Sequence, residues 1–154
     1  MDFNLTSEQR MAVEAVQKMT ARDLQPVLDA HDPDTPLPKE AMRGLLKICA
    51  GQGLTSARVP ESAGGAGIPT LLFGLMFEQL PPVVGFAIVG QEATAARIAL
   101  DSTPEQRERL LPDLIAANKI ACTGSTEPDV GSDARGIKTR VTEDGDHLVV
   151  NGDK

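Results

Sequence analysis

The amino-acid sequence predicts a mostly α-helical fold: an N-terminal helical bundle over residues 1–118, then the first strands of a β-domain over residues 119–154. Three observations predict it. Two Thr-x-x-Gln capping boxes open helices, two central stretches are apolar nearly all round, and past Lys119 the pattern changes to short β-type runs separated by turn residues.

Leu5-Thr6-Ser7-Glu8-Gln9 sets a Thr N-cap three residues before a Gln, a pair that satisfies two orphan backbone donors, so a helix begins there. Met11, Val13, Val16 and Met19 approximate an apolar stripe, which Leu24, Val27 and Leu28 extend past an irregularity expected near Pro26. Asp32-Pro33-Asp34-Thr35-Pro36 supplies turn formers. Pro38 then suits the first position of a second helix that runs to about Ala50, with Gly51 and Gly53 to end it. Leu71 to Leu80 and Val83 to Leu100 follow, and Glu92 and Arg97 are the only charges in the latter, which predicts helices enclosed by neighbours and forming the core. Thr103-Pro104-Glu105-Gln106 repeats the capping box and opens a fifth helix ending near Ala117. Ile137 to Thr142 and His147 to Val150 flank Glu143-Asp144-Gly145-Asp146, a hairpin signal. Asn151-Gly152 is a second hairpin-turn signal with only Asp153 and Lys154 beyond it, so the chain is expected to stop mid-fold, as a fragment. A sheet this small requires more strands or a partner.

Composition narrows the function classes. A net charge of -7, with 15 basic residues spread along 154, offers no basic stripe for nucleic acid or anionic lipid. Cys49 and Cys122 stand far apart with no thiol nearby, so neither a zinc motif nor a disulfide framework is read, metal ligands are left unassigned and a reduced, cytoplasmic setting fits. Met1-Asp2-Phe3-Asn4 lacks the basic start and apolar core of a signal peptide. The most apolar stretch, Pro82 to Gly90, is far short of the roughly 20 residues of a membrane span, so a soluble protein is expected.

Small and hydroxyl-bearing residues crowd the stretch from Ala121 to Gly136. Glycine permits close backbone approach, and Ser or Thr adds compact donors beside backbone N–H groups, a combination suited to phosphates or a heterocycle edge. The same residues are ordinary turn formers, and composition alone favours a plain acidic turn. The spacing is more particular. Thr126-Glu127-Pro128-x-x-Gly131-Ser132-Asp133-x-x-Gly136, followed by a hairpin and Asn151-Gly152, resembles the signature of acyl-CoA dehydrogenases. Upstream, Val59-Pro60-Glu61-Ser62-Ala63-Gly64-Gly65-Ala66-Gly67 is similar to that family's Pro-Glu-x-x-Gly-Gly-x-Gly loop. With the helix order, the resemblance covers the whole chain.

That resemblance implies an up-and-down helical bundle and the start of a β-barrel-like middle domain, parts of a three-domain α/β/α enzyme. It implies FAD as cofactor, α,β-dehydrogenation of an acyl-CoA to a trans-2-enoyl-CoA, an electron-transfer flavoprotein or similar acceptor, and a homotetramer. Residue by residue, it implies Thr123, Ser125 and Thr126 along the flavin edge, and Gly131 and Ser132 beside the flavin pyrophosphate and the substrate's pantetheine arm. Val84, Phe86 and Ile88 are candidates for the acyl-pocket wall, and Glu127 and Asp133 shape the loop. The family's catalytic Glu would lie past Lys154, so no catalytic residue is assigned within these residues. The chain departs from the family pattern at Thr123, where an aromatic is frequent, at Ser125, where an apolar residue is usual, and at Val130, where a small one is.

Other features read as structure. Gly64-Gly65-Ala66-Gly67 lacks the preceding strand and following Gly-Lys-Ser/Thr of a phosphate loop and reads as a turn. His31 and His147 read as solvated, and Glu78 and Glu92 as solvent-facing carboxylates at helix edges. Two further functions stay open: a non-catalytic helical partner subunit or interaction module, and a flavin monooxygenase or oxidase of the same fold.

Overall fold

The computed structural model describes residues 4–154, so most of the N-terminal tetrapeptide read for targeting lies outside the described residues. The chain divides into two compact units, Met1–Cys122 and Thr123–Lys154. The division falls four residues after the 118/119 boundary read from the pattern change, because Lys119 and Ala121 are still hydrogen-bonded to the helical unit through Gln91.

Helix α1, Ser7–Met19, opens on the expected capping box: Gln9 N donates to Thr6 Oγ1 at 3.2 Å and Thr6 N to Gln9 Oε1 at 2.9 Å. It continues through a π-helical turn, Thr20–Leu24, into α2, Gln25–Asp29. The irregularity sits just before Pro26, where Gln25 N donates to the Thr20 carbonyl five residues back and the backbone widens ahead of a residue with no N–H. Val16, Met19 and Leu24 remain buried across it, so the apolar stripe survives.

Helix α3 spans Lys39–Ala50, with Pro38 in an extended conformation as its cap rather than its first residue. Of the two glycines that follow, only Gly53 is left-handed, at φ 73°. The segment from there to Ile68 is tied to itself: Ala66 N donates to Ser56 O, Gly67 N to Val59 O and Ile68 N to Ala57 O. Its two adjacent glycines have different causes: Gly64 is left-handed at φ 85°, whereas a Cβ on Gly65 would sit 2.2 Å from the Val59 carbonyl oxygen. Gly65→Ala is therefore expected to cost about 3 kcal/mol, measured as a shift in the denaturation midpoint. The cluster reads in the structure as the turn expected of it.

Helices α4 (Thr70–Phe77), α5 (Pro82–Asp101) and α6 (Pro104–Ile115) complete the unit. The second capping box is present, with Gln106 N donating to Thr103 Oγ1 at 3.3 Å and Thr103 N to Gln106 Oε1 at 3.0 Å. Val16, Leu24, Leu45, Leu46, Val84 and Ile88 meet in one core cluster; Val59, Ala95, Leu111 and Leu114 form a second.

Two expectations about α5 are corrected. The helix is not enclosed: Val83, Phe86, Val89 and Leu100 lie on one exposed face, with Phe86 85% and Leu100 70% exposed, because the elements of this unit cover only its other side. It is also longer than the Pro82–Gly90 stretch, and by length and composition, 20 residues at a mean hydropathy of 1.3, it could cross a membrane. Its inner face nevertheless carries Gln91 and Glu92 bonded to their neighbours, as in a core helix of a packed bundle.

In the second unit, β1 (Arg140–Asp144) pairs antiparallel with β2 (His147–Asn151), with Asp144 opposite His147. Gly145, at φ 60°, and Asp146 form the two-residue turn, with glycine in the first central place as a type II′ hairpin requires. Both strands are exposed throughout, as expected of a sheet this small. Asn151-Gly152 is not a turn here. Asn151 stays in the ladder opposite Arg140, and Gly152 passes so close to Thr139 that a Cβ would lie 2.0 Å from the Thr139 hydroxyl.

Candidate functional site

The stretch that drew attention in the sequence is built around one carboxylate. Glu127 and Val130 form an isolated bridge across Pro128-Asp129, Glu127 N donating to Val130 O at 2.9 Å and Val130 N to Glu127 O at 3.1 Å. The Glu127 carboxylate is buried and accepts from Thr139 Oγ1 at 2.6 Å, Lys138 N at 2.8 Å and Thr139 N at 2.9 Å, with Lys154 Nζ at 3.0 Å. These partners, the Thr139 hydroxyl foremost and then the two backbone N–H groups, hold its pKa down at about 2. Asp133 caps the short 3-10 turn Ala134–Gly136, its Oδ1 accepting from Arg135 N at 3.2 Å. Both acids shape the loop, as expected.

A carboxylate whose folded pKa lies below its ordinary 4.5 contributes stability that is complete above about pH 4.5 and is lost as pH falls through about 2. Protection of the Lys138 and Thr139 amides against hydrogen exchange is accordingly expected to fall across that window, and to be low and pH-independent in Glu127→Gln. Unchanged wild-type protection down to pH 2 would show that the carboxylate is not what holds them.

Around this anchor the structure places Thr123, Ser125 and Thr126 on one exposed, irregular segment, and Gly131 and Ser132 on the exposed far side of the Glu127–Val130 turn. Among the described residues, the N–H groups of Gly124, Ser125 and Thr126 make no backbone hydrogen bond. Nothing lies within 4 Å of where a Cβ would stand on Gly124 or Gly131, whereas a Cβ on Gly136 would press Val130 at 3.2 Å. Val130, a departure from the family pattern, is buried in this loop.

The three candidates for an acyl wall are not brought together. Val84 and Ile88 are fully buried in the core of the helical unit, while Phe86 projects from the opposite, exposed face of α5. Two other readings are corrected. Glu92 is 1% exposed, not solvent-facing, and its carboxylate accepts from the Arg58 backbone N–H at 3.0 Å and from its guanidinium, whose Nη2 donates to Glu92 Oε2. His31 is half-buried, with Nδ1 2.8 Å from the Val27 carbonyl; His147 and Glu78 are exposed as expected. Lys154 and Thr139, both bound to Glu127, escaped the sequence reading because nothing local marks a Lys or Thr as a loop's partner 27 or 12 residues away in sequence.

A helical unit capped twice by Thr-Gln boxes, followed in sequence by a Glu-anchored Gly/Ser/Thr loop and a β-hairpin, defines an α-then-β class of chain. Residues 6–118 match the family described as acyl-CoA dehydrogenase, N-terminal domain. The chain belongs to the acyl-CoA dehydrogenase family. It is 29% identical over 161 residues to a probable acyl-CoA dehydrogenase of Bacillus subtilis (strain 168), a match covering all of this chain and 40% of that protein. It is 31% identical over 158 residues to the short-chain-specific acyl-CoA dehydrogenase of Clostridium acetobutylicum, again over the whole chain and 41% of the relative. Among solved structures, butyryl-CoA dehydrogenase from Megasphaera elsdenii superposes with a TM-score of 0.79 at 29% identity, covering 99% of this chain and 41% of that one. The chain thus spans about 40% of the length of these relatives.

Proposed function

We propose that this chain supplies the flavin-edge loop and helical domain of an FAD-dependent acyl-CoA dehydrogenase, which converts an acyl-CoA thioester to its trans-2-enoyl-CoA. The observation that carries the reading is the exposed segment Gly124 to Thr126, whose N–H groups make no backbone hydrogen bond among the described residues, on a loop anchored by Glu127. These residues fit the cofactor: small side chains, hydroxyls and backbone donors suit the polar edge of a flavin ring, and the open space at Gly124 and Gly131 leaves room for it.

When bound, FAD accepts the hydride that leaves the substrate's β-carbon. The chain's own contribution is electrostatic and positional. Donors at Ser125 and Thr126, held in place before reaction, favour negative charge on the ring they face. Gly131 and Ser132 admit the pyrophosphate and pantetheine arm without a bulky side chain in the way, and the proton-abstracting Glu would come from outside these residues. An electron-transfer flavoprotein as acceptor and a tetrameric assembly belong to the same reading.

The test is spectroscopic. The full product of the gene, expressed with FAD, should carry a flavin absorption band that bleaches anaerobically on adding its acyl-CoA. A bound flavin that no thioester bleaches would favour a monooxygenase or oxidase, and absence of flavin would favour an interaction module.

A further inference from the structure

We propose that Lys154 is a positioning residue for the Thr126 N–H. Its ammonium reaches the Ser125 carbonyl oxygen at 2.9 Å and the Glu127 carboxylate at 3.0 Å, acceptors that stand on either side of Thr126. The Ser125 carbonyl and the Thr126 N–H belong to one planar trans peptide, so they point in opposite directions. Fixing the oxygen therefore fixes the direction of the N–H. A cation on that carbonyl also draws electron density along the peptide and makes the N–H a stronger donor.

The rest of the local structure delivers the ammonium to this place. Gly152, two residues earlier, has no side chain to obstruct its passage beside Thr139, and Thr139 itself binds Glu127 through both N–H and hydroxyl. Glu127 is thereby held independently of Lys154, by three other donors, and serves as the fixed post against which the ammonium is set. The Lys154 side chain is 31% exposed and that of Glu127 5%, so the contact is partly shielded from water. The consequence for a flavin rests on the proposed function; the orientation of the peptide does not.

Both parts can be read in the full-length protein carrying Lys154→Met or Lys154→Arg. In the cofactor-free form, the Thr126 amide nitrogen resonance is expected to move in Lys154→Met and to return toward the wild-type position in Lys154→Arg. The Lys138 and Thr139 amides should stay protected, because the Glu127 post remains. FAD titrated onto the protein, followed by quenching of flavin fluorescence, is expected to bind about tenfold more weakly to Lys154→Met, the effect of one charge-assisted hydrogen bond, with Arg restoring most of it. An unmoved Thr126 resonance overturns the inference. So does loss of Lys138 and Thr139 protection in Lys154→Met, which would make Lys154 a prop of the fold, and so does undiminished FAD binding. A wild-type protein that takes up no FAD removes the flavin reading alone, and the Thr126 resonance still decides the positioning role.

Discussion

Gln91→Leu is expected to lower the unfolding free energy by about 3 kcal/mol. The Gln91 side chain is fully buried on α5 and is spent on backbone: Nε2 donates to Leu114 O at 2.7 Å and Lys119 O at 2.9 Å, and Oε1 accepts from Ala121 N at 2.8 Å. Leucine keeps the volume and forfeits all three bonds. The Leu114 carbonyl keeps the Ala117 N–H at 3.1 Å, but Lys119 O and Ala121 N lose their Gln91 partner at about 1–3 kcal/mol each, and the apolar gain of leucine offsets only part of the sum. Gln91→Glu should be at least as damaging, since a carboxylate would face two carbonyl oxygens. Urea denaturation at constant m-value measures both. A midpoint shift worth less than about 1 kcal/mol would mean that water replaces the amide without loss.

The second large effect is expected at Arg58. Removing one partner of a buried ion pair typically costs about 3–5 kcal/mol, because the remaining charge stays desolvated. Arg58 is itself 44% exposed, so water softens the loss, and Arg58→Met should cost about 2–3 kcal/mol. Part of that is the contact of its guanidinium with the Phe73 ring, 5.7 Å from the centroid. Glu92→Gln added to Arg58→Met should recover most of the stability, since the amide oxygen can still accept from the Arg58 N–H without carrying a charge. If the double variant is no more stable than Arg58→Met alone, the unpaired carboxylate is not the cause.

What could be read in the sequence was local. The capping boxes at Thr6 and Thr103 are complete within four residues, and both helices start where those boxes place them. The hairpin at Gly145 is equally self-contained. Glu92 shows where such reading ends. A carboxylate at a helix edge looks solvated until one knows that Arg58 comes to meet it. Gly152 fails for a related reason: Asn-Gly is a turn signal only if glycine is there for its φ, and here it is there for lack of a Cβ against Thr139. Of the candidate site, the loop was visible in the motif spacing, and the structural role of Glu127 was what the family resemblance implied. Its anchors, Thr139 and Lys154, were not, because they are brought by the hairpin rather than by the motif.

The two thiols differ in a way that makes the helical unit self-reporting. Cys49 lies in the core on α3, where burial raises its pKa to about 12, whereas Cys122 is exposed. A thiolate-seeking reagent can therefore titrate Cys122 at once but must wait for the helical unit to open before it meets Cys49. The rate at which the second equivalent is consumed is then a clock of opening, carried by the native sequence without any added label.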